Sequence, residues 1–155
     1  MTKEEALARL AESRRALHQA IEGLSEEEMT QVRAEGVWTI KDVLGHITSW
    51  EETCLEPLRR YADGGPYDVQ VIEDYLAWND VQAARKRDVP LDAILGELAA
   101  VRQGLAEAAS RLSARQWEQR VPFAWGGEGT IADTLEGLHE HEMEHVRHIR
   151  QWRRG

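Results

Sequence analysis

The chain has a single cysteine, Cys54, and so cannot close an intramolecular disulfide. At 155 residues, 42% of them hydrophobic, it can bury a core without such staples, and the lone thiol points to a reducing cytoplasm. Positive charge is also scarce. Nineteen Lys and Arg stand against 28 Asp and Glu, a net charge of −9, which argues against a general nucleic-acid binder. There is no long apolar run, and no basic stretch leading into one at the amino end, so neither a membrane span nor a signal peptide is expected. Convincing strands are missing as well: the best candidate, residues 121–125, is short and contains Pro122. What remains is one all-α domain over residues 1–155.

Helical periodicity fills most of the chain. Thr2-Lys-Glu-Glu5 has the form of a capping box, and Ala6, Leu10, Leu17 and Ile21 recur at helical spacing, so a first helix is expected over about 3–22. Gly23 ends it, and Ser25 caps a short helix. Thr39 caps a second long helix over about 40–62, stopped by Asp63-Gly-Gly-Pro66. A third falls in two pieces, about 71–86 and 91–112, divided by Asp88-Val-Pro90. Ser113 starts a short turn, a loop follows, and Thr130 caps a last helix over about 131–153. The basic tail Arg147, Arg150, Arg153 and Arg154 suits a helix carboxyl end.

The plan is used twice. Leu24-Ser25, a short helix, a glycine and Thr39-Ile40-Lys-Asp42-Val-Leu44 match Leu112-Ser113, a short helix, a glycine and Thr130-Ile131-Ala-Asp133-Thr-Leu135. Two antiparallel helix pairs packed together are expected, giving a four-helix bundle with a long crossover, the kind of fold that builds cofactor sites between facing helices.

Of six histidines, four fall within ten residues of the last helix: His139, His141, His145 and His148. Histidines four apart share a helix face, so His141 and His145 can chelate one ion, and His46 of the second long helix can complete a facial set. With Leu138 as the centre of the inward stripe, His145 falls near that centre, His141 and His148 fall on a flank, and His139 points to solvent with His18. His148 is an alternative to His141. Each imidazole alone is more simply a hydrogen-bonded rim residue, and the combination is what suggests a metal. Three imidazoles plus an open position suit zinc; nickel, ferrous iron and manganese fit too. Glu142 and Glu144, with Glu51, are candidate proton-transfer carboxylates. His141-Glu142-Met-Glu144-His145 also matches the zinc-protease helix pattern, but only ten residues follow His145, too few for a distant third ligand. Six tryptophans are many for this length. Trp50 and Trp125 are candidates to line an apolar pocket beside the ion, whereas Cys54 reads as a small buried residue.

The segments Trp38-Thr39-Ile40-Lys-Asp42-Val-Leu44-Gly-His46 and His141-x3-His145-x2-His148-Ile149 resemble the DinB-like superfamily, which includes YfiT-type metal-dependent hydrolases and thiol S-transferases. The resemblance implies a four-helix bundle, often a homodimer, with one divalent ion, commonly zinc or nickel, held by His46, His141 and His145. It further implies a low-molecular-weight thiol or water directed at a small electrophilic substrate. His46-Ile-Thr-Ser-Trp50-Glu51-Glu52 looks like the colibactin-resistance branch, while the Arg-Gly-Gln that follows the last ligand in some relatives is replaced by Val146-Arg147-His148. A metal-dependent transferase or hydrolase is therefore expected, against two alternatives: a metal- or ligand-binding stress-response bundle without catalysis, and a bundle without metal.

Overall fold

The computed structural model describes residues 1–155. Four long helices carry the fold: α1 (Lys3–Ile21), α3 (Ile40–Ala62), α5 (Leu91–Ser110) and α7 (Ile131–Arg154), with short α2 (Glu26–Gln31), α4 (Tyr75–Lys86) and α6 (Ala114–Glu118) between them. Capping boxes begin five of the helices. Thr2, Ser25, Thr39, Ser113 and Thr130 each accept from the backbone N–H three residues on, and the side chain at that position returns a bond to the cap. Each such cap stabilises a helix start by about 1 kcal/mol. No helix is long and apolar enough to cross a membrane.

Two small hairpins correct the strand-free expectation. β1 (Arg33–Glu35) pairs antiparallel with β2 (Trp38–Thr39), and β3 (Val121–Pro122) with β4 (Glu128–Gly129). Gly36 turns the first at φ +58°, and Gly126 and Gly127 turn the second at +96° and +87°. Pro122 is tolerated because a two-stranded ribbon has only edges, where a missing N–H costs no ladder bond. The repeat thus includes a hairpin before each Thr-capped helix.

The two long helices of each copy run antiparallel, but they do not pair with one another. Contacts of Arg9 with Glu136, Arg14 with Glu142 and Arg153 with the Ala20 carbonyl set α1 parallel to α7. Gly45 beside Ile94, Glu51 on Arg102 and Gly104 beside Arg59 set α3 parallel to α5. The dense packing is α1 on α7 and α3 on α5, so each copy's helices sit on the diagonal and the halves interlock. The segment that lets α5 run parallel to α3 is the crossover carrying α4, anchored by buried Tyr67 and Val69 and by the Ile72 N–H to the Ala124 carbonyl at 2.8 Å.

The core is divided by a charged layer. One apolar cluster holds Leu10, Cys54, Leu105 and Leu135; the other holds Leu17, Ile47, Leu98 and Val146. Between them, each long helix contributes: Ser13 and Arg14 from α1, Glu51 from α3, Arg102 from α5 and Glu142 from α7. Arg102 donates to both oxygens of Glu51 at 3.0 and 2.9 Å and to Glu142 at 2.9 Å; Arg14 donates to Glu142 at 2.7 Å and Glu51 at 3.0 Å; Ser13 also donates to Glu142. Arg102 and Arg14 further bond the carbonyls of Leu10 and Leu98. Two arginines and two glutamates leave no net charge. Burial pushes the Glu51 carboxyl up, against the pull of both arginines, whereas on Glu142 burial is outweighed by Arg102, Arg14 and Ser13, which hold it below the carboxylate range.

Candidate metal centre

The Thr39 cap fixes where α3 begins and so places His46 two turns into it, facing α7. His141 and His145 lie one turn apart on α7 and face back. The Nε2 atoms of His46 and His141 are 3.0 Å apart, and those of His141 and His145 are 3.2 Å apart. The three rings meet edge to face, with centroids 4.7–4.9 Å apart, and Trp38 of β2 packs on His46 at 4.6 Å. Burial, then His141 and His145, push the His46 pKa down to about 3; burial, then His145, push His141 down to about 4. Both rings are therefore neutral at pH 7, as metal ligands must be.

His145 is oriented by a residue that periodicity did not reveal. Its Nδ1 lies 2.9 Å from Oε1 of Glu35 in β1, and His148 Nδ1 lies 2.6 Å from the same oxygen. An ionised carboxylate only accepts, so both imidazoles carry a proton on Nδ1, which leaves a lone pair on His145 Nε2 when the ring is neutral. Glu35 is pressed upward by burial, but the hydrogen bonds from His145 and then His148, joined by each ring's positive charge when it is protonated, hold its carboxyl below the usual range. Glu35, His145 and His148 also lie within 4.8 Å of one another as a second donor group, but the two separations are hydrogen-bond lengths. The structure brings His141, not His148, to the point where His46 and His145 meet.

These residues fit a divalent ion. With neutral rings, one proton at most serves the two contacts of His141 Nε2, so at least one pair of lone pairs faces unbridged; a cation satisfies all three nitrogens. Tetrahedral zinc with bonds of about 2.0–2.1 Å separates its ligand atoms by about 3.3 Å, close to the observed spacing.

A cavity of about 460 Å³ opens beside the histidines. Trp50 and Trp125 both line it, with Tyr75 and Asn79 of α4. Trp50 is buried, packs on Trp78 at a tilt with ring centroids 4.5 Å apart and donates its indole N–H to Asn79 Oδ1 at 3.0 Å. Trp125 stacks on Phe123 and lies over Gly137, where a Cβ would come within 2.7 Å of the indole. Gly137 occupies in the second copy the place of His46 in the first, so one half of the repeat supplies a ligand where the other admits an aromatic wall.

Several expected site residues lie elsewhere. Glu142 is wholly buried and Glu51 1% exposed, both bound in the arginine layer and turned from the cavity. Glu142 neighbours His141 in sequence, but a step of about 100° around the helix aims it at the bundle axis. Glu144 is exposed and is the one carboxylate lining the cavity. His139 is not solvated: it is buried, with Nδ1 2.8 Å from the Arg9 carbonyl, because α7 packs on α1 as well as on α3 and its inward face is wider than one stripe. His18 is exposed. Cys54 is buried in the core, its thiol pushed up by burial.

The family model of the DinB superfamily matches residues 9–149. The chain is 25% identical over 142 residues to the uncharacterized protein YuaE of Bacillus subtilis (strain 168), covering 84% of this chain and 86% of YuaE. Three solved structures share the fold. A mycothiol-dependent maleylpyruvate isomerase superposes with a TM-score of 0.77 at 14% identity, covering 96% of this chain; the chain spans 61% of that isomerase. YfiT from Bacillus subtilis, described as a probable metal-dependent hydrolase with an unusual four-helix bundle topology, superposes at 0.73 with 17% identity, covering 98% of this chain and 86% of YfiT. The colibactin self-resistance protein ClbS, in complex with double-stranded DNA, superposes at 0.80 with 12% identity, covering 97% and 94%.

Proposed function

This chain belongs to the DinB superfamily, and from that premise we propose that it is a metal-dependent enzyme in which His46, His141 and His145 hold one divalent ion, zinc or nickel. The observation that carries the reading is the convergence of three Nε2 atoms at the mouth of an aromatic cavity. An ion held by three imidazoles with a position open lowers the pKa of a thiol or water there. Glu35 keeps His145 in the tautomer that presents Nε2, Trp50 and Trp125 form the walls that exclude water, and Glu144 at the rim takes a proton from an incoming thiol. The substrate is a small electrophile, and the reaction S-transfer or hydrolysis. Two similar proteins are named as mycothiol-dependent and as a probable metal-dependent hydrolase, which supports both branches.

The working form in this reading is a cytoplasmic homodimer of one-domain chains, which predicts a solution mass near twice 17.7 kDa. Nucleic acid is placed outside the partners because of the −9 charge, although ClbS is seen with DNA. Metal content of chelator-free protein by inductively coupled plasma mass spectrometry tests the centre. About one ion per chain is expected, lost in His46→Ala and in His145→Ala; an unchanged ion content in His46→Ala would refute the cross-helix site. One observation favours a second reading, a bundle that binds metal or ligand without turnover: Glu142 and Glu51 are withdrawn into the arginine layer, leaving only exposed Glu144 at the cavity. Thiol transfer to monobromobimane by the metal-loaded protein, abolished in His46→Ala, separates the two.

A further inference from the structure

The walls of the cavity beside the histidines carry a selectivity of their own. None of the ten residues lining it is lysine or arginine, and Glu144 is the only formally charged carboxylate among them. The aromatic part of the lining is Trp50, Trp125 and Tyr75, ring types that receive planar apolar groups and, at their negative faces, cations. The orientation of Asn79 is settled by its partner. An indole N–H can only donate, so the Asn79 atom 3.0 Å from Trp50 Nε1 is the carbonyl oxygen, and the amide NH2 is left without a partner in the chain, at the cavity wall. That group is a donor for a neutral acceptor. A divalent ion on the imidazoles would keep one positive charge after holding a thiolate or hydroxide, and Glu144 offsets that charge, so an anionic substrate body would find no net positive charge at the site and no cationic side chain in the walls.

We infer that the substrate taken by this cavity is a small planar molecule with no negative charge, lying between Trp50 and Trp125, with an acceptor such as a carbonyl oxygen at Asn79 and any positive end at Glu144. This rests on the reading of the cavity as the substrate site, and it separates the chain from enzymes that take dicarboxylic acids.

Three near-isosteric probes differing only in charge and acceptor test it: benzoate, benzamide and benzamidine. The full chain, freed of metal by chelator, is titrated with each while the indole N–H resonances of Trp50 and Trp125 are followed by NMR. Benzamide and benzamidine are expected to bind about tenfold or more tighter than benzoate. Trp125→Ala weakens both, Asn79→Ala weakens benzamide alone, and Glu144→Gln weakens benzamidine alone. Benzoate binding as well as the others, no response to any probe, or responses indifferent to Trp125→Ala would overturn the inference. Zinc titration of the same sample is read separately. Zinc binding with a benzoate preference sinks this inference and leaves the metal centre standing; benzamide preference without zinc binding does the reverse.

Discussion

His141 and Glu142 are adjacent in sequence and belong to two polar regions built on opposite terms. The central layer of Glu51, Arg102, Arg14 and Glu142 is charged, draws on all four long helices, and satisfies its groups within the chain. The histidine rim keeps His46 and His141 neutral, draws on α3 and α7, and turns three ring nitrogens toward one another with no cation in the chain between them. A closed network of buried charges holds helices in register and offers nothing to a ligand. An open cluster of lone pairs adds little to the apoprotein and offers coordination. Only direction on the helix separates the two, which is why the protease-like pattern around His141 misleads: its glutamate faces the wrong way.

The comparison breaks most visibly in the layer. Arg102→Ala leaves Glu51 and Glu142 short of a buried cation and is expected to cost about 3–5 kcal/mol in denaturant unfolding. The folded fraction should still take up about one zinc ion per chain. Loss of zinc at unchanged stability would mean that the layer positions the histidines and that the two regions are one. Glu35→Ala sharpens the other side. It removes the acceptor of His145 and His148, and the zinc dissociation constant should rise about 10- to 100-fold with little change in unfolding. An unaltered affinity would reduce Glu35 to a surface contact. The smallest effect belongs to a pair outside both regions. Arg9 hydrogen-bonds Glu136 at 2.6 Å and holds its carboxyl below the ordinary range, with burial opposing. A depressed folded-state pKa adds stability above the unfolded value and loses it as pH falls through the folded value. The melting temperatures of the wild type and Arg9→Ala should therefore differ slightly at pH 7, converge in acid below about pH 4, and converge in high salt. A difference that persists in acid would point to packing by the arginine stem.

Where local signals govern, the sequence was a sufficient guide. Thr39 and Thr130 with aspartate three residues on mark the starts of α3 and α7, and the 3.6-residue period marks their faces. The meeting of His46, His141 and His145 was legible because helix faces are predictable once the caps are known. The burial of His139 was not, since it depends on α1 covering a second side of α7. Nor was the fate of Glu142 and Glu51, whose partners Arg14 and Arg102 lie on other helices and carry no mark of inward direction. Glu35 escaped because it sits in a hairpin of two and three residues, too short for any period, turned by one glycine at positive φ. The pairing of α1 with α7 and α3 with α5 is hidden for a related reason: antiparallel hairpins are the default for short connections, and nothing local shows that two of them will interlock.

That interlocking bears on how the chain reaches its fold. α1 finds its main neighbour in α7, at the other end of the sequence, and α3 finds its own only after the crossover has been laid down. A half-chain therefore cannot cover its apolar faces, and a ribosome that has released residues 1–62 has released two amphipathic helices with nothing to close on. Contacts this distant in sequence slow a helical bundle relative to one whose neighbours follow in order, so refolding should lag behind that of an up-and-down bundle of equal length. The first half spends that interval with its sticky surfaces uncovered, as a client for whatever guards nascent chains.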